Sequence, residues 1–388
     1  MNEQRVLIVG AGPAGLAAAG ALAHLGIKSL ILERDSVGSS WRGRYDRLRL
    51  NSSRWTSKLP HSRYKRGTPL FPTREQLVQY LEEYVAQHEL DVRPQVSVER
   101  IDPDGDGWRL ETPSAGSFRA PQVIVAAGFE HTPVIPDWPG RELYRGRLLH
   151  AADYRNAESF RGADVLVVGP GCSGMEIAYD LVEGGAMRVR LAVRTPPSIV
   201  LRAQGGLPTD PIAIALLRLP PRIADAPMRI VRRVAVGDLA PLGLPEPDAG
   251  VFARLHREGK APAIVDKEVI EAIKDRRIEI VAGVEELEEN GVRLAGGTHI
   301  EPDAIIAATG YRRALEEMVG HLDVLDERGV PRVLRGEEAA PGLRYIGYVA
   351  RPGQIGFMSV EAKRVAKAIA SELQRSTPGS ASAMPGAG

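Results

Sequence analysis

Two glycine-rich hexapeptides carry the clearest chemistry in this 388-residue chain. The first, Gly10-Ala11-Gly12-Pro13-Ala14-Gly15, follows an apolar run at residues 6–9. The second, Gly169-Pro170-Gly171-Cys172-Ser173-Gly174, follows another at 164–168. In such a turn the first glycine makes the tight strand-to-helix reversal. The second lets backbone approach a pyrophosphate, and the third lets helix and strand pack closely. The helix that follows offers unpaired N–H groups and the positive end of its dipole to phosphate oxygens. Gly10, Gly12, Pro13, Ala14 and Gly15 are therefore one candidate dinucleotide cradle. Gly169, Gly171, Ser173 and Gly174 are a second.

The residues that end the next strands differ. Glu33 lies 18 residues beyond Gly15. A carboxylate there accepts hydrogen bonds from ribose hydroxyls and repels a 2′-phosphate. The second unit carries no acid at that point, and its strand ends in Val193-Arg194. Arg194 puts a guanidinium where a 2′-phosphate would sit, which favours NADPH over NADH. The competing reading of Arg194 is a solvated surface arginine. Cys172, inside the second turn, is expected to be a small packing residue rather than a nucleophile.

Around these turns the elements follow from pattern. Residues 6–9, 16–25 and 28–32 read as strand, helix and strand, a β-α-β unit. The pattern restarts with a strand at 164–168, a helix at 175–182 and a strand at 188–193. Thr73-Arg74-Glu75-Gln76 has capping-box spacing, and Leu77, Tyr80, Leu81, Tyr84 and Val85 repeat at helical intervals, so 74–88 is an amphipathic helix. Residues 95–118 alternate and turn at 104–107, as a hairpin does. Further strands are expected at 123–126, 303–308 and 344–347, with a closing helix at 359–373.

Composition removes several classes. Hydrophobic residues make up 44% and charged residues 26%, enough for a buried core, and the length suits two domains. A formal net charge of +1 gives no reason to expect nucleic acid or an acidic membrane as main partner. One cysteine allows no internal disulfide, redox dithiol or zinc cluster. No apolar run approaches the roughly 20 residues of a membrane helix. A strand so soon after Met1 leaves no place for a signal peptide, so a cytoplasmic protein is expected.

Between the two units, Tyr144-Arg145-Gly146-Arg147-Leu148-Leu149-His150-Ala151-Ala152-Asp153-Tyr154 resembles the FxGxxxHxxxY signature of flavin-containing monooxygenases, with Tyr144 in place of Phe. The likeness is strongest to the plant YUCCA-type subgroup. It runs through Trp41-Arg42, residues 45–50, Phe71-Pro72-Thr73, residues 171–177 and 259–262, Ala308-Thr309-Gly310-Tyr311, and 353–362. It spans roughly residues 5–373. The resemblance implies FAD in the first cradle and NADPH in the second. It further implies that NADPH reduces the flavin, and that the reduced flavin forms a C4a-(hydro)peroxide with O₂ and passes one oxygen to a small organic substrate. Trp41, Arg42 and Thr309 are then expected at the cofactors. His150 is expected either to link the domains or to orient NADPH.

The chain also departs from the plant subgroup. Asn51-Ser52-Ser53 resembles the Asn-Ser-Ser of animal and microbial flavin-containing monooxygenases. That likeness makes Asn51 the candidate catalytic residue, supporting the flavin peroxide; an Asn capping a turn is the alternative. If the plant likeness carries the chemistry, the reaction is oxidative decarboxylation of a 2-oxo acid. If Asn51 is the better guide, a nitrogen or sulfur is oxygenated. Ketone insertion goes with a different signature, which Tyr154 does not fit. An NADPH oxidase or flavin reductase without organic oxygenation remains a separate class, and so does a non-catalytic nucleotide sensor. Ile346-Gly347-Tyr348 lacks the Asp of disulfide reductases.

The expected fold is α/β, with two Rossmann-like dinucleotide-binding domains and the NADPH domain inserted into the FAD domain. The FAD domain takes residues 1–157 and 302–375, the NADPH domain 158–301, and 376–388 form a disordered tail. Residues 211–238 are apolar with Arg218, Arg222, Arg229, Arg232 and Arg233 interspersed. They could lie on a membrane, line a substrate entrance, or be an inserted helical piece with a solvated basic face. Prolines 220, 221 and 227 are expected to interrupt any long helix there.

Overall fold

The computed structural model describes residues 5–259 and 261–376, so Lys260 and nearly all of the expected tail lie outside the described residues. Two largely parallel sheets, alike in the order of four of their strands, organise the chain. In the first, Val6–Val9 lies between Leu30–Leu32 and Gln122–Val125. Asp91–Arg93 and Leu343–Tyr345 flank those, and the antiparallel Glu338–Ala340 closes one edge. In the second, Asp164–Val168 lies between Arg188–Val193 and Ala304–Ala307, with Glu279–Ala282 and Arg147–His150 outside them. Every residue of Val6–Val9 and of Asp164–Val168 is buried. Unbroken apolar runs are what strands covered on both faces require.

The helices that cover these sheets start where the glycine turns end. Pro13–His24 and Cys172–Glu183 each follow their turn directly. Pro13 occupies the first helical position, where its missing N–H costs nothing. The long C-terminal helix Gln354–Ser376 lies against the first of them, with Ile355, Ala362, Val365, Ala366 and Ile369 in the same core as Leu16 and Leu22. The helix Arg74–Gln87 carries the expected capping box. Thr73 accepts from the Gln76 backbone and Gln76 from the Thr73 backbone. Such a cap is worth about 1 kcal/mol. The expected hairpin is a three-stranded antiparallel sheet, Arg100–Asp104, Gly107–Thr112 and Gly116–Ala120.

The strand foreseen at 303–308 forms at Ala304–Ala307, but in the second sheet, where Val165 faces Ala304. It does not close the first domain, as the sequence reading had it. On its far side lies Arg147–His150, which also falls within the span assigned to the first domain. An apolar run says that a strand is buried, not in which of two similar sheets. Leu343–Tyr345 and the C-terminal helix do join the first sheet.

The inserted segment holds two helices, Asp210–Leu216 and Pro221–Ala235. Pro220 and Pro221 start the second helix, but Pro227 lies inside it and does not end it. Proline there leaves the carbonyl of residue 223 without its donor.

Candidate functional site

The two glycine turns match closely. Gly10 has φ +102° and Gly169 φ +111°, values that L side chains rarely adopt. A Cβ at Gly10 would lie 2.6 Å from the Ala126 carbonyl oxygen, and one at Gly169 2.5 Å from that of Ala308. A Cβ on Gly15 or Gly174 would run into the carbonyl of the first glycine of its own turn. A Cβ on Gly12 or Gly171 would meet nothing. Those two positions are thus glycine without a protein atom to demand it, and the space beside each is where a pyrophosphate fits against backbone. The donor set suits such a group at both helix starts, since neither N-cap receives a side-chain hydrogen bond.

At the end of the second strand the units part. Glu33 is buried, and its oxygens accept from the Ala11 backbone N–H at 2.6 Å and the Asp35 backbone N–H at 2.9 Å. The carboxylate is thereby fixed beside the first turn. Arg194 is exposed and packs its Cβ near Gly283. No described residue pairs with its guanidinium. An exposed cation at that point can receive a phosphate without first breaking an ion pair.

Cys172 takes a structural place. The Ile264 N–H donates to its sulfur at 3.2 Å, and the thiol points to the Pro262 carbonyl at 3.6 Å. Burial pushes its pKa up to about 11.

The other sequence candidates have partners of their own. His150 is buried at the end of Arg147–His150. Its Nδ1 accepts from the Ala152 N–H at 3.0 Å, so Nε2 carries the proton and donates to the Gly310 carbonyl at 3.1 Å. Burial lowers its pKa. A neutral ring with both nitrogens engaged ties two segments together and leaves no atom for proton transfer. The Thr309 hydroxyl donates to the Val134 carbonyl, and Arg42 pairs with Glu82 on the surface. Each side chain thus has a protein partner in this structure. Trp41 packs half-buried against the first core.

A buried chain of charges that the sequence reading missed joins the two units. Arg202 is 2% exposed. One amino group pairs with Asp266 at 2.8 Å, and the other pairs with Glu176 and donates to Asn51 Oδ1 at 3.4 Å. The second Glu176 oxygen accepts from the Tyr45 hydroxyl at 2.8 Å. Burial raises the Glu176 carboxyl pKa against the opposing pull of Arg202. Since guanidinium has only donors, Asn51 must present its carbonyl to it and keep its NH₂ for another acceptor. A second tie runs from Asp210, whose Oδ2 accepts from the Ser53 backbone at 3.1 Å, the Ser53 hydroxyl at 3.0 Å and Thr56. A signal for the first tie existed: Glu176 sits among Met175, Ile177 and Ala178, and Arg202 ends the run Ile199-Val200-Leu201. A lone charge in an apolar run has to find a buried partner.

Beyond Asn51 the same loop lines a cavity of about 1100 Å³. Its walls come from residues 55–63, the helix Asp210–Leu216 and the start of the C-terminal helix. Lys58, Arg63, Arg218, Arg351 and Lys363 line it with His61, and no Asp or Glu does. Trp55, Ile214, Leu217 and Phe357 supply apolar surface, and Arg351 stacks over the Phe357 ring at 4.4 Å. A smaller hollow near Asp225 is about 20 Å³, enough for a water.

Comparison with known proteins agrees with this layout. Residues 7–202 match the family described as pyridine nucleotide-disulphide oxidoreductase. The chain is 35% identical over 374 residues to indole-3-pyruvate monooxygenase YUCCA1 of Oryza sativa subsp. japonica, covering 94% of this chain and 90% of the relative. It is 32% identical over 382 residues to the probable indole-3-pyruvate monooxygenase YUCCA1 of Arabidopsis thaliana, covering 96% and 91%. In fold it resembles a flavin-containing monooxygenase from Stenotrophomonas maltophilia, with TM-score 0.72, 21% identity, and coverage of 96% of this chain and all of the other.

Proposed function

This chain belongs to the YUCCA-type flavin monooxygenases, and we propose that it uses FAD, NADPH and O₂ to decarboxylate a 2-oxo acid oxidatively. The balanced reaction is 2-oxo acid + O₂ + NADPH + H⁺ → carboxylic acid one carbon shorter + CO₂ + H₂O + NADP⁺. The observation that carries the substrate class is the cavity: five Lys or Arg side chains and no acid, beside aromatic and aliphatic walls. Such walls attract a carboxylate with an apolar body and repel a protonated amine. The names of the relatives, which specify a 2-oxo acid for those proteins, point the same way.

Bound FAD supplies two-electron chemistry with NADPH and O₂ that no side chain can. The residues of this chain bind and orient. The first turn takes the FAD pyrophosphate, and Glu33 takes its ribose. The second turn takes the NADPH pyrophosphate, and Arg194 its 2′-phosphate. Asn51, its carbonyl held by Arg202, offers NH₂ protons at the reacting face. The cavity places the substrate carboxylate. His150, whose one N–H is given to the Gly310 carbonyl, positions the Gly310 turn.

Anaerobic reduction of the yellow protein with NADPH, followed by mixing with O₂ in a stopped-flow instrument, tests the reading. A long-lived near-ultraviolet absorbance band, distinct from oxidised and reduced flavin, is the expected result. 2-Oxo acids should discharge it and release CO₂, while amines and sulfides should not. Immediate return of the oxidised spectrum with stoichiometric H₂O₂ would place the protein among the oxidases and remove the role of Asn51. Discharge by amines or sulfides alone would make it an N- or S-oxygenase, as the Asn51-Ser52-Ser53 likeness suggests.

A further inference from the structure

The outer face of the inserted helices does not look like a solvated surface. Of the large apolar side chains left exposed among the described residues, Leu207, Ile212, Leu219, Ile223, Ile230 and Val234 crowd into one 28-residue stretch, and five others are spread over the rest. The helix Pro221–Ala235 accounts for its inner face fully. Ala224 and Asp225 are buried, Asp225 accepts from the Phe252 and Ala253 backbones at 2.7 and 3.1 Å, and Arg232 turns in to Glu246. The helix is therefore seated, and its opposite face is exposed by construction.

That face has two adjoining stripes at helical spacing. Ile223, Pro227, Ile230 and Val234 form one, with Ile230 68% and Val234 84% exposed. Arg222, Ala226, Arg229 and Arg233 form the other. The two acids between residues 207 and 237, Asp210 and Asp225, are both buried and turned inward. The outer face thus carries cations and apolar side chains and no anion. No helix among the described residues is long and apolar enough to cross a membrane. A short helix with an apolar stripe beside a basic one lies in the plane of a bilayer surface instead.

We infer that this face docks the protein on an anionic lipid bilayer. Charge complementarity selects the occupant. In a two-fold contact between copies, the arginine stripe of one chain would meet that of the other, which is unfavourable. Anionic headgroups neutralise the arginines while the apolar stripe enters the acyl boundary. The overall charge of +1 conceals this, because the compensating acids lie elsewhere. The docked face adjoins the mouth of the 1100 Å³ cavity, since Ile214 of the first helix and Leu217 and Arg218 between the two helices line it.

The test uses the FAD-loaded full chain and co-sedimentation with vesicles of phosphatidylcholine, with and without phosphatidylglycerol. Binding is expected only to the anionic vesicles and should weaken as salt rises. The variant Arg222→Gln/Arg229→Gln/Arg233→Gln should bind roughly a hundredfold more weakly. Ile223→Ser/Ile230→Ser/Val234→Ser should lose binding, whereas Met187→Ser, exposed elsewhere, should not. Circular dichroism and NADPH oxidation without vesicles should be unchanged in all three. Absence of binding to anionic vesicles, or binding that both triple variants retain, would overturn the inference. A concentration-dependent dimer that the Ser variant dissolves, without vesicle binding, would assign the face to a second copy.

Discussion

The two dinucleotide units are the same construction with different last residues. Strand, turn, helix and supporting strand superpose in role down to individual hydrogen bonds. Leu16 N–H donates to the Gly12 carbonyl at 3.0 Å, and Met175 N–H to that of Gly171 at 3.0 Å. The carbonyls that forbid a Cβ, of Ala126 and Ala308, stand in equivalent places. Yet one unit ends in a buried, doubly held Glu33 and the other in an exposed Arg194 with no ion-pair partner among the described residues. On the proposed reading, the turn geometry sets the class of ligand, while one side chain at the strand end sets which member of the class enters.

Mutations can separate the two levels. The largest effects should come from Gly15→Ala and Gly174→Ala, where a methyl meets backbone that cannot move aside. Each should cost more than about 3 kcal/mol in chemical denaturation, and to a similar extent if the units are truly equivalent. Gly12→Val and Gly171→Val should instead fold and part company. The first should purify colourless. The second should stay yellow, with KM for NADPH raised by about a hundredfold or more. A colourless Gly171→Val protein would reverse the cofactor assignment. Arg194→Ala should lower the preference for NADPH over NADH by roughly ten- to a hundredfold, the worth of a charge-assisted contact. An unchanged preference would reduce Arg194 to a surface arginine.

The smallest effect expected concerns His150, to which the first unit has no counterpart in these roles. Its folded pKa lies below the ordinary value of about 6.5, so the unfolded state takes the proton first. The stability it contributes is present above that value and lost as pH falls below it. Melting temperature should drop on acidification from pH 7 through that range. His150→Gln should flatten the drop, and an unaltered slope would show that the ring does not titrate this way.

What the sequence makes legible is what local chemistry dictates. The strands at 6–9 and 164–168, both glycine turns and the box at Thr73 follow from spacing alone, because each is decided within a few residues. Non-local choices are not legible. Ala304–Ala307 has the same apolar content whether it serves the first sheet or the second. Thr309 and Arg42 stand in motifs that fit a cofactor site, but Val134 and Glu82 claim their side chains, and nothing in the motif reveals those partners. Arg202 and Glu176 are separated by 26 residues and meet only once the fold is formed. The outer stripe of Pro221–Ala235 was visible as composition, but which of its faces was buried was not.

The placement of Cys172 bears on durability. A chain that handles reduced flavin and oxygen works next to a source of oxidants, and the species they attack is thiolate, not thiol. With a pKa of about 11, on the order of one molecule in ten thousand carries the thiolate at neutral pH. The only sulfhydryl in the sequence is thus held almost wholly as thiol, the less oxidisable form, at neutral pH. A cysteine introduced at an exposed position would therefore compete with only one native thiol, itself slow to react.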